Sequence, residues 1–144
     1  MSDERPTLTV MMGAPAAGKT TWCAANADGA VVLTCETIKK GANPGPVFDR
    51  MLCEARRALV RRRDVIIDAC STMKPDRSQW LHLARRLDAR TRLVVLDTPS
   101  TLCNQRDSKR RRPVNRNGVY TERMKAAKRD IRRESWDEIV VVTP

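Results

Sequence analysis

The stretch Gly13-Ala14-Pro15-Ala16-Ala17-Gly18-Lys19-Thr20 fits the spacing G-x-x-x-x-G-K-[ST], and no other feature constrains the chain as much. In such a loop glycines allow a tight turn and successive N–H groups cradle phosphates. The lysine reaches the β- and γ-phosphates, and the hydroxyl binds Mg²⁺. The flanks suit this role: residues 7–12 (TLTVMM) are a β-branched and apolar run of strand length, and residues 20–25 (TTWCAA) can begin a helix. A strand that feeds a helix through a glycine loop places anions at the helix N-terminus, where unpaired amides and the macrodipole favour them. The alternative is a Gly/Pro turn with a solvated lysine. The expected nucleotide contacts are Gly13, Ala14, Pro15, Ala16, Ala17, Gly18, Lys19, Thr20 and Thr21.

Downstream, strand-like and helix-like stretches alternate. Residues 26–29 (NADG) read as a helix stop and 30–34 (AVVLT) as a second strand. From 46 to 62, apolar positions at Val47/Phe48, Met51/Leu52, Ala55 and Leu59 recur at helical spacing, with arginines largely on the other side. Residues 64–68 (DVIID) form a continuous apolar run closed by a carboxylate, as expected of a buried parallel strand whose end reaches a site. Pro75 can open the next helix, with a stripe of Trp80, Leu83/Ala84 and Leu87. Residues 92–97 give a fourth strand, 98–100 a fresh helix start, and 138–142 a fifth strand. Between them, about 102–134 is a strongly basic region broken into two helical pieces by 113–118 (PVNRNG). The alternation predicts an α/β fold of about five parallel strands flanked by helices, with ligands at the carboxyl ends of the strands. At 144 residues the chain is expected to be a single domain.

A formal charge of +11 and a pI near 10.2 exceed what solubility needs and point to a polyanionic partner. The five cysteines (Cys23, Cys35, Cys53, Cys70, Cys103) form no C-x-x-C pair, and each has apolar neighbours suggestive of core. They read as reduced thiols of a cytoplasmic protein. The acidic start Met-Ser-Asp-Glu does not resemble a signal peptide, and no apolar run approaches membrane-spanning length, so no membrane partner is expected. His82 is the only histidine and has no ligand partner by spacing, which excludes a zinc site built on it.

Phosphoryl transfer needs an oriented nucleophile, a carboxylate, Mg²⁺, and positive charge for the equatorial oxygens. Glu36, just past the second strand, could take a hydroxyl proton; otherwise it is a solvated loop residue. Asp68 ends a strand of core character, where a carboxylate is costly without a partner. A Mg²⁺-water or acceptor contact is favoured over a structural salt bridge. Arg106 and Arg110 are four apart on an expected helix and so project from one face, as a pair closing over phosphates would.

These pieces resemble the kinase domain of phage-type 5′-polynucleotide kinases, within the larger P-loop kinase group. The likeness covers nearly the whole chain. Residues 13–22 (GAPAAGKTTW) look like the family loop G-x-P-x-S-G-K-S-T-W. Asp68-Ala69-Cys70-Ser71 with Pro75-Asp76-Arg77 is similar to its D-x-T-N and downstream P-x-x-R. Residues 106–110 (RDSKR) resemble the lid motif R-N-x-x-R, Pro113-Val114 its apolar continuation, and 135–139 (SWDEI) the lead into the last strand. The resemblance implies that Lys19 and Thr20 bind phosphates and Mg²⁺, and that Arg106 and Arg110 clamp the donor ATP. The acceptor is then a nucleic acid 5′-OH. Glu36 stands where the family has an aspartate base and Lys39 where it has an arginine, while Cys70-Ser71 replaces Thr-Asn.

The resulting expectation is ATP-dependent phosphorylation of a nucleic acid 5′-hydroxyl in end repair. Lys19, Glu36, Arg106 and Arg110 are catalytic in this reading. Lys39, Asp68, Ser71 and Arg77 face the acceptor, and Mg²⁺ is held by Thr20 and, through water, Asp68. Ligase or phosphatase steps fall to separate proteins. Two alternatives stay open: a P-loop kinase of a small molecule or nucleotide, zeta-toxin-like, and a weakly catalytic ATP-binding module that holds nucleic acid. Aromatic residues are scarce, with one Phe and one Tyr besides three Trp, so contacts to nucleic acid should fall mainly on phosphates.

Overall fold

A computed structural model describes residues 4–35 and 46–144. Its strands β1 (Thr7–Met12), β2 (Val31–Thr34), β3 (Val65–Asp68), β4 (Arg90–Leu96) and β5 (Glu138–Val142) form one sheet in the order β2-β3-β1-β4-β5. Every neighbouring pair is parallel, with Leu8 opposite Val65, Thr9 opposite Arg92 and Leu93 opposite Ile139. The helices among the described residues are α1 (Lys19–Asn26), α2 (Val47–Val60), α3 (Lys74–Arg86), α4 (Ser100–Ser108) and α5 (Asn117–Asp130), and α5 runs into a short 3-10 turn at Ile131–Arg133.

Burial on both faces explains the continuous apolar character of the central strands. Leu8, Val10 and Met12 of β1 point to one face, where Met51, Ala55 and Leu59 of α2 and Trp80 and Ala84 of α3 cover them. Met11, Ile66 and Val94 point to the other, against Cys23 of α1 and Cys103 of α4. Phe48 and Trp80 join α2 to α3, their ring centroids 5.4 Å apart. The helix stop at 26–29 is realised as a turn through Asp28 and Gly29, both at positive φ (46° and 84°). At the far end of α2, Arg62 takes φ 64° while the amides of Arg62 and Arg63 return to Leu59 and Ala58. That closes the last turn and sets arginines on the negative end of the helix.

Two expectations change. The fourth strand starts at Arg90, not Arg92, because the Arg90 amide bonds the Pro6 carbonyl at 2.8 Å. In addition, Thr91 donates its amide and hydroxyl to Asp137 at 2.8 and 3.1 Å. These polar pairings extend a strand whose first residues carry no apolar signal. The cysteines are not all core: Cys23 and Cys103 are buried, but Cys35 and Cys53 are exposed and Cys70 is half-buried. Cys53 lies between the buried turns of α2 at Met51 and Ala55, on the helix's outer side.

Candidate active site

A cleft of about 1690 Å³ opens at the carboxyl ends of the strands. It lies where the chain, having built β3 on one side of β1, crosses to build β4 on the other, which is the place for a ligand in an open parallel sheet. Its floor is the loop between β1 and α1. Gly13 allows a close approach there, since a Cβ would come within 3.1 Å of the Leu96 Cβ and 3.3 Å of the Ala17 Cβ. Gly18 sits at φ 107°, a conformation open to glycine, and begins α1. Ala16 is also left-handed, at φ 67°, without glycine's freedom.

Loop carbonyls turn toward protein donors. The Lys19 ammonium donates to the Gly13 and Ala14 carbonyls at 3.0 and 2.7 Å. Thr98 Oγ1 donates to the Ala17 carbonyl at 2.7 Å, and Arg106 to the Ala16 carbonyl at 3.4 Å. The Gly13 amide is fixed on the Cys70 carbonyl at 3.0 Å, which ties the loop to the segment after β3. The first-turn amides of α1 have no intrahelical acceptor and remain available to a phosphate.

Next to the loop, the Thr20 hydroxyl donates to Asp68 Oδ2 at 2.9 Å. Here the first turn of α1 meets the end of β3, and a hydroxyl and a carboxylate converge. Hard oxygen donors in this number suit Mg²⁺, which is usually held by one or two protein oxygens, water and substrate phosphates. No cluster of three or more His, Cys, Asp or Glu occurs among the described residues, so an all-protein metal cage is not formed there. The expected Thr20 and Asp68 therefore fit the ion, with nucleotide phosphates completing the set.

The basic region supplies the opposite wall. Arg106 stands in the last turn of α4 beside the loop, but α4 stops at Ser108, so Arg110 lies beyond the helix rather than on one continuous face with Arg106. Both nevertheless line the cleft. Asp107 causes the bend. It is buried and accepts the amides of Val114 and Asn115 at 3.1 and 3.0 Å, while Arg110 approaches it at 3.6 Å. Those backbone hydrogen bonds, with Arg110, hold its carboxyl below the usual range.

On the acceptor side, Asp68 and Ser71 line the cleft, Ser71 at φ 50°. Arg77 does not face it, contrary to expectation. Its side chain is fully buried and donates to both carboxylate oxygens of Glu134 (2.9–3.3 Å) and to the Ser71 carbonyl (3.0 Å). The reason is helical: Arg77 shares the inward face of α3 with Trp80 and Ala84. Its part is to brace Ser71 from behind. Burial pushes the Glu134 carboxyl up, but hydrogen bonds from Arg77 and Trp136 outweigh it and leave the group below its ordinary value. Glu36 and Lys39 lie outside the described residues. Val47 and Phe48, half-buried over Met51 and Trp80 of the core, give this half of the cleft an apolar edge.

Three contributors escaped sequence reading. Asp107 had a usable signal, an acid a few residues ahead of a Pro/Asn/Gly break. Thr98 and Tyr120 had none, since each acts on a residue far away in the chain. The thiols near the site are unreactive where buried. Burial, helped by the Asp68 charge, raises Cys23 to about 12, and burial raises Cys103 as well.

A family model described as an AAA domain (AAA_33) matches residues 8–133. No curated protein matches the sequence. Among solved structures, the Pnkp1/Rnl/Hen1 RNA repair complex contains a chain similar over 94% of this one and 48% of its own length, at 17% identity and TM-score 0.75. This chain thus spans about half of that neighbour. The Mycobacterium tuberculosis APS kinase CysC, in complex with AMPPNP and APS, is similar over 97% of this chain and 89% of its own, at 16% identity and TM-score 0.64. Chaetomium thermophilum Kti12 with ADP-AlF3 is similar over 94% and 88%, at 15% identity and TM-score 0.61. At these identities the likeness establishes the fold, which is that of P-loop kinases.

Proposed function

The chain belongs to the AAA domain family (AAA_33), and we propose that it is an ATP-dependent kinase that phosphorylates the 5′-hydroxyl of a nucleic acid. One observation carries the choice of acceptor. Among the described residues lining the cleft, six cationic side chains (Lys19, Arg106, Arg110, Arg111, Arg112, Arg123) face two carboxylates, Asp68 and Asp76. The cleft thus carries net positive charge, which can hold donor phosphates and a polyanionic acceptor together.

Lys19 and the first-turn amides of α1 bind the donor's β- and γ-phosphates. Thr20 and Asp68 hold Mg²⁺, which when bound neutralises charge on those phosphates. Arg106 and Arg110 bear on the γ-phosphoryl oxygens, where such charge contributes about 10³ to 10⁵ in rate. The acceptor oxygen forms a bond to the γ-phosphorus as the bond to the β–γ bridging oxygen breaks; ADP leaves, and the hydroxyl proton passes to Glu36. Lys39 and Ser71 orient the acceptor. Asp107 holds the turn that carries Arg110, and Arg77 with Glu134 holds Ser71.

A second reading rests on the half-buried Val47 and Phe48, which give the cleft an apolar surface for a small aromatic acceptor. Labelled ATP with a panel of 5′-OH oligonucleotides, nucleosides and sugars separates the two. Label on oligonucleotides supports the first reading, and transfer only to a small acceptor refutes it. ATP binding with transfer to nothing would indicate a binding module.

A further inference from the structure

Tyr120 is the chain's single tyrosine and stands in the first turn of α5, on the cleft wall. Two guanidiniums pack over its ring, Arg123 with its central carbon 5.2 Å from the centroid and Arg116 at 6.0 Å. Its hydroxyl end sits against Cys70, two residues past Asp68. Arg123, half-buried, lines the cleft with Tyr120. Among the described residues neither Arg116 nor Arg123 pairs with a carboxylate, whereas Lys125 and Lys128 on the same helix pair with Glu122 and Asp97.

An aromatic ring that orders an arginine without neutralising it leaves a planar fork of donors ready for an anion. Held in advance, the fork loses less freedom when a phosphate arrives. Its position is fixed from both ends. Met124 and Ala127 anchor α5 in the core, and Tyr120 rests on the segment whose Cys70 carbonyl holds the Gly13 amide. Arg123 and Tyr120 therefore line the same cleft as Thr20 and Asp68.

We propose that Arg123 and Arg116, ordered on Tyr120, form a subsite for an internucleotide phosphate of the acceptor strand, downstream of the hydroxyl that is phosphorylated. The proposal rests on the nucleic-acid reading of the cleft. It assigns the acceptor's phosphate contacts to α5 as well as to the arginines near the loop. A nucleoside, which has no internucleotide phosphate, makes no use of this subsite.

The test is binding of a fluorescent 5′-OH oligonucleotide in the presence of AMPPNP, measured by anisotropy over a range of salt concentrations. Arg123→Gln should weaken binding about tenfold or more and reduce the slope of log affinity on log salt by about 0.7, one phosphate's share on a single strand. Tyr120→Leu should weaken binding in the same direction, and Tyr120→Phe, which keeps the ring, should retain it. Arg116→Gln, at an exposed position, carries the same test if Arg123→Gln does not fold. Unchanged affinity and slope in these variants would overturn the subsite, as would a wild-type protein that binds no oligonucleotide. Oligonucleotide binding through Arg123 without phosphoryl transfer would refute the kinase reading alone and leave the subsite standing.

Discussion

Replacing Glu134 with alanine removes the acceptor of three hydrogen bonds from Arg77, at 2.9, 3.0 and 3.3 Å, and of one from the Trp136 indole at 2.9 Å. The Arg77 side chain has no exposure and that of Glu134 is 7% exposed, so water cannot replace the lost carboxylate without opening the helix packing. Breaking a buried pair by removing one partner costs about 3–5 kcal/mol. For a chain of this size that is a fall in Tm of about 10 °C or more. Replacing both partners with apolar residues, as Arg77→Met with Glu134→Leu, should recover most of that loss, because no charge is left buried alone. Melting followed by circular dichroism reads both. Because the folded-state pKa of Glu134 lies below its unfolded value, the pair's contribution is fully present at neutral pH. It is lost as pH falls below the ordinary glutamate range of about 4 and through the folded value. The gap in Tm between wild type and Glu134→Ala should therefore narrow in acid. A Glu134→Ala protein that melts within a few degrees of wild type at pH 7 would refute the argument.

Ala16 holds a left-handed φ of 67°, so Ala16→Gly should relieve about 1 kcal/mol of strain and raise Tm by a few degrees, read in the same melts. Asp107→Ala frees the Val114 and Asn115 amides that bend the chain after α4. Proteolysis between Arg110 and Arg116 should speed up and phosphoryl transfer should fall, with little change in Tm. An aromatic disulfide reagent at pH 8 should label exposed Cys35 and Cys53 in the folded protein and leave Cys23 and Cys103 unlabelled until denaturant is added.

The parts of the fold readable in the sequence were those with a local signature. The Gly13–Thr20 spacing, the apolar run closed by Asp68 and the Met51/Ala55/Leu59 stripe each stand in the structure where their patterns place them. Arg77 shows how a local likeness misleads: the similarity of Pro75-Asp76-Arg77 to a family P-x-x-R implies a ligand contact, yet Arg77 falls three and seven residues before Trp80 and Ala84, on the buried face of α3. Its partner Glu134 is 57 residues away, and no local pattern predicts that meeting. The same holds for Thr98 on the Ala17 carbonyl and for Tyr120 against Cys70, which depend on the crossover of the chain around β1. Arg110 differs for another reason: helical spacing from Arg106 runs past Ser108, where α4 stops and Asp107 captures the Val114 and Asn115 amides.

The most direct test of the account is the fate of the γ-phosphate. Wild-type protein is incubated with γ-labelled ATP, Mg²⁺ and an oligonucleotide supplied either with a free 5′-hydroxyl or with that end already phosphorylated. The account predicts label on the free-hydroxyl oligonucleotide only, removable by a 5′-phosphatase, and a loss of about 10²-fold or more when Lys19 is replaced by methionine. Label that appears on neither oligonucleotide while a small acceptor becomes phosphorylated, or equal transfer by Lys19→Met, would contradict it.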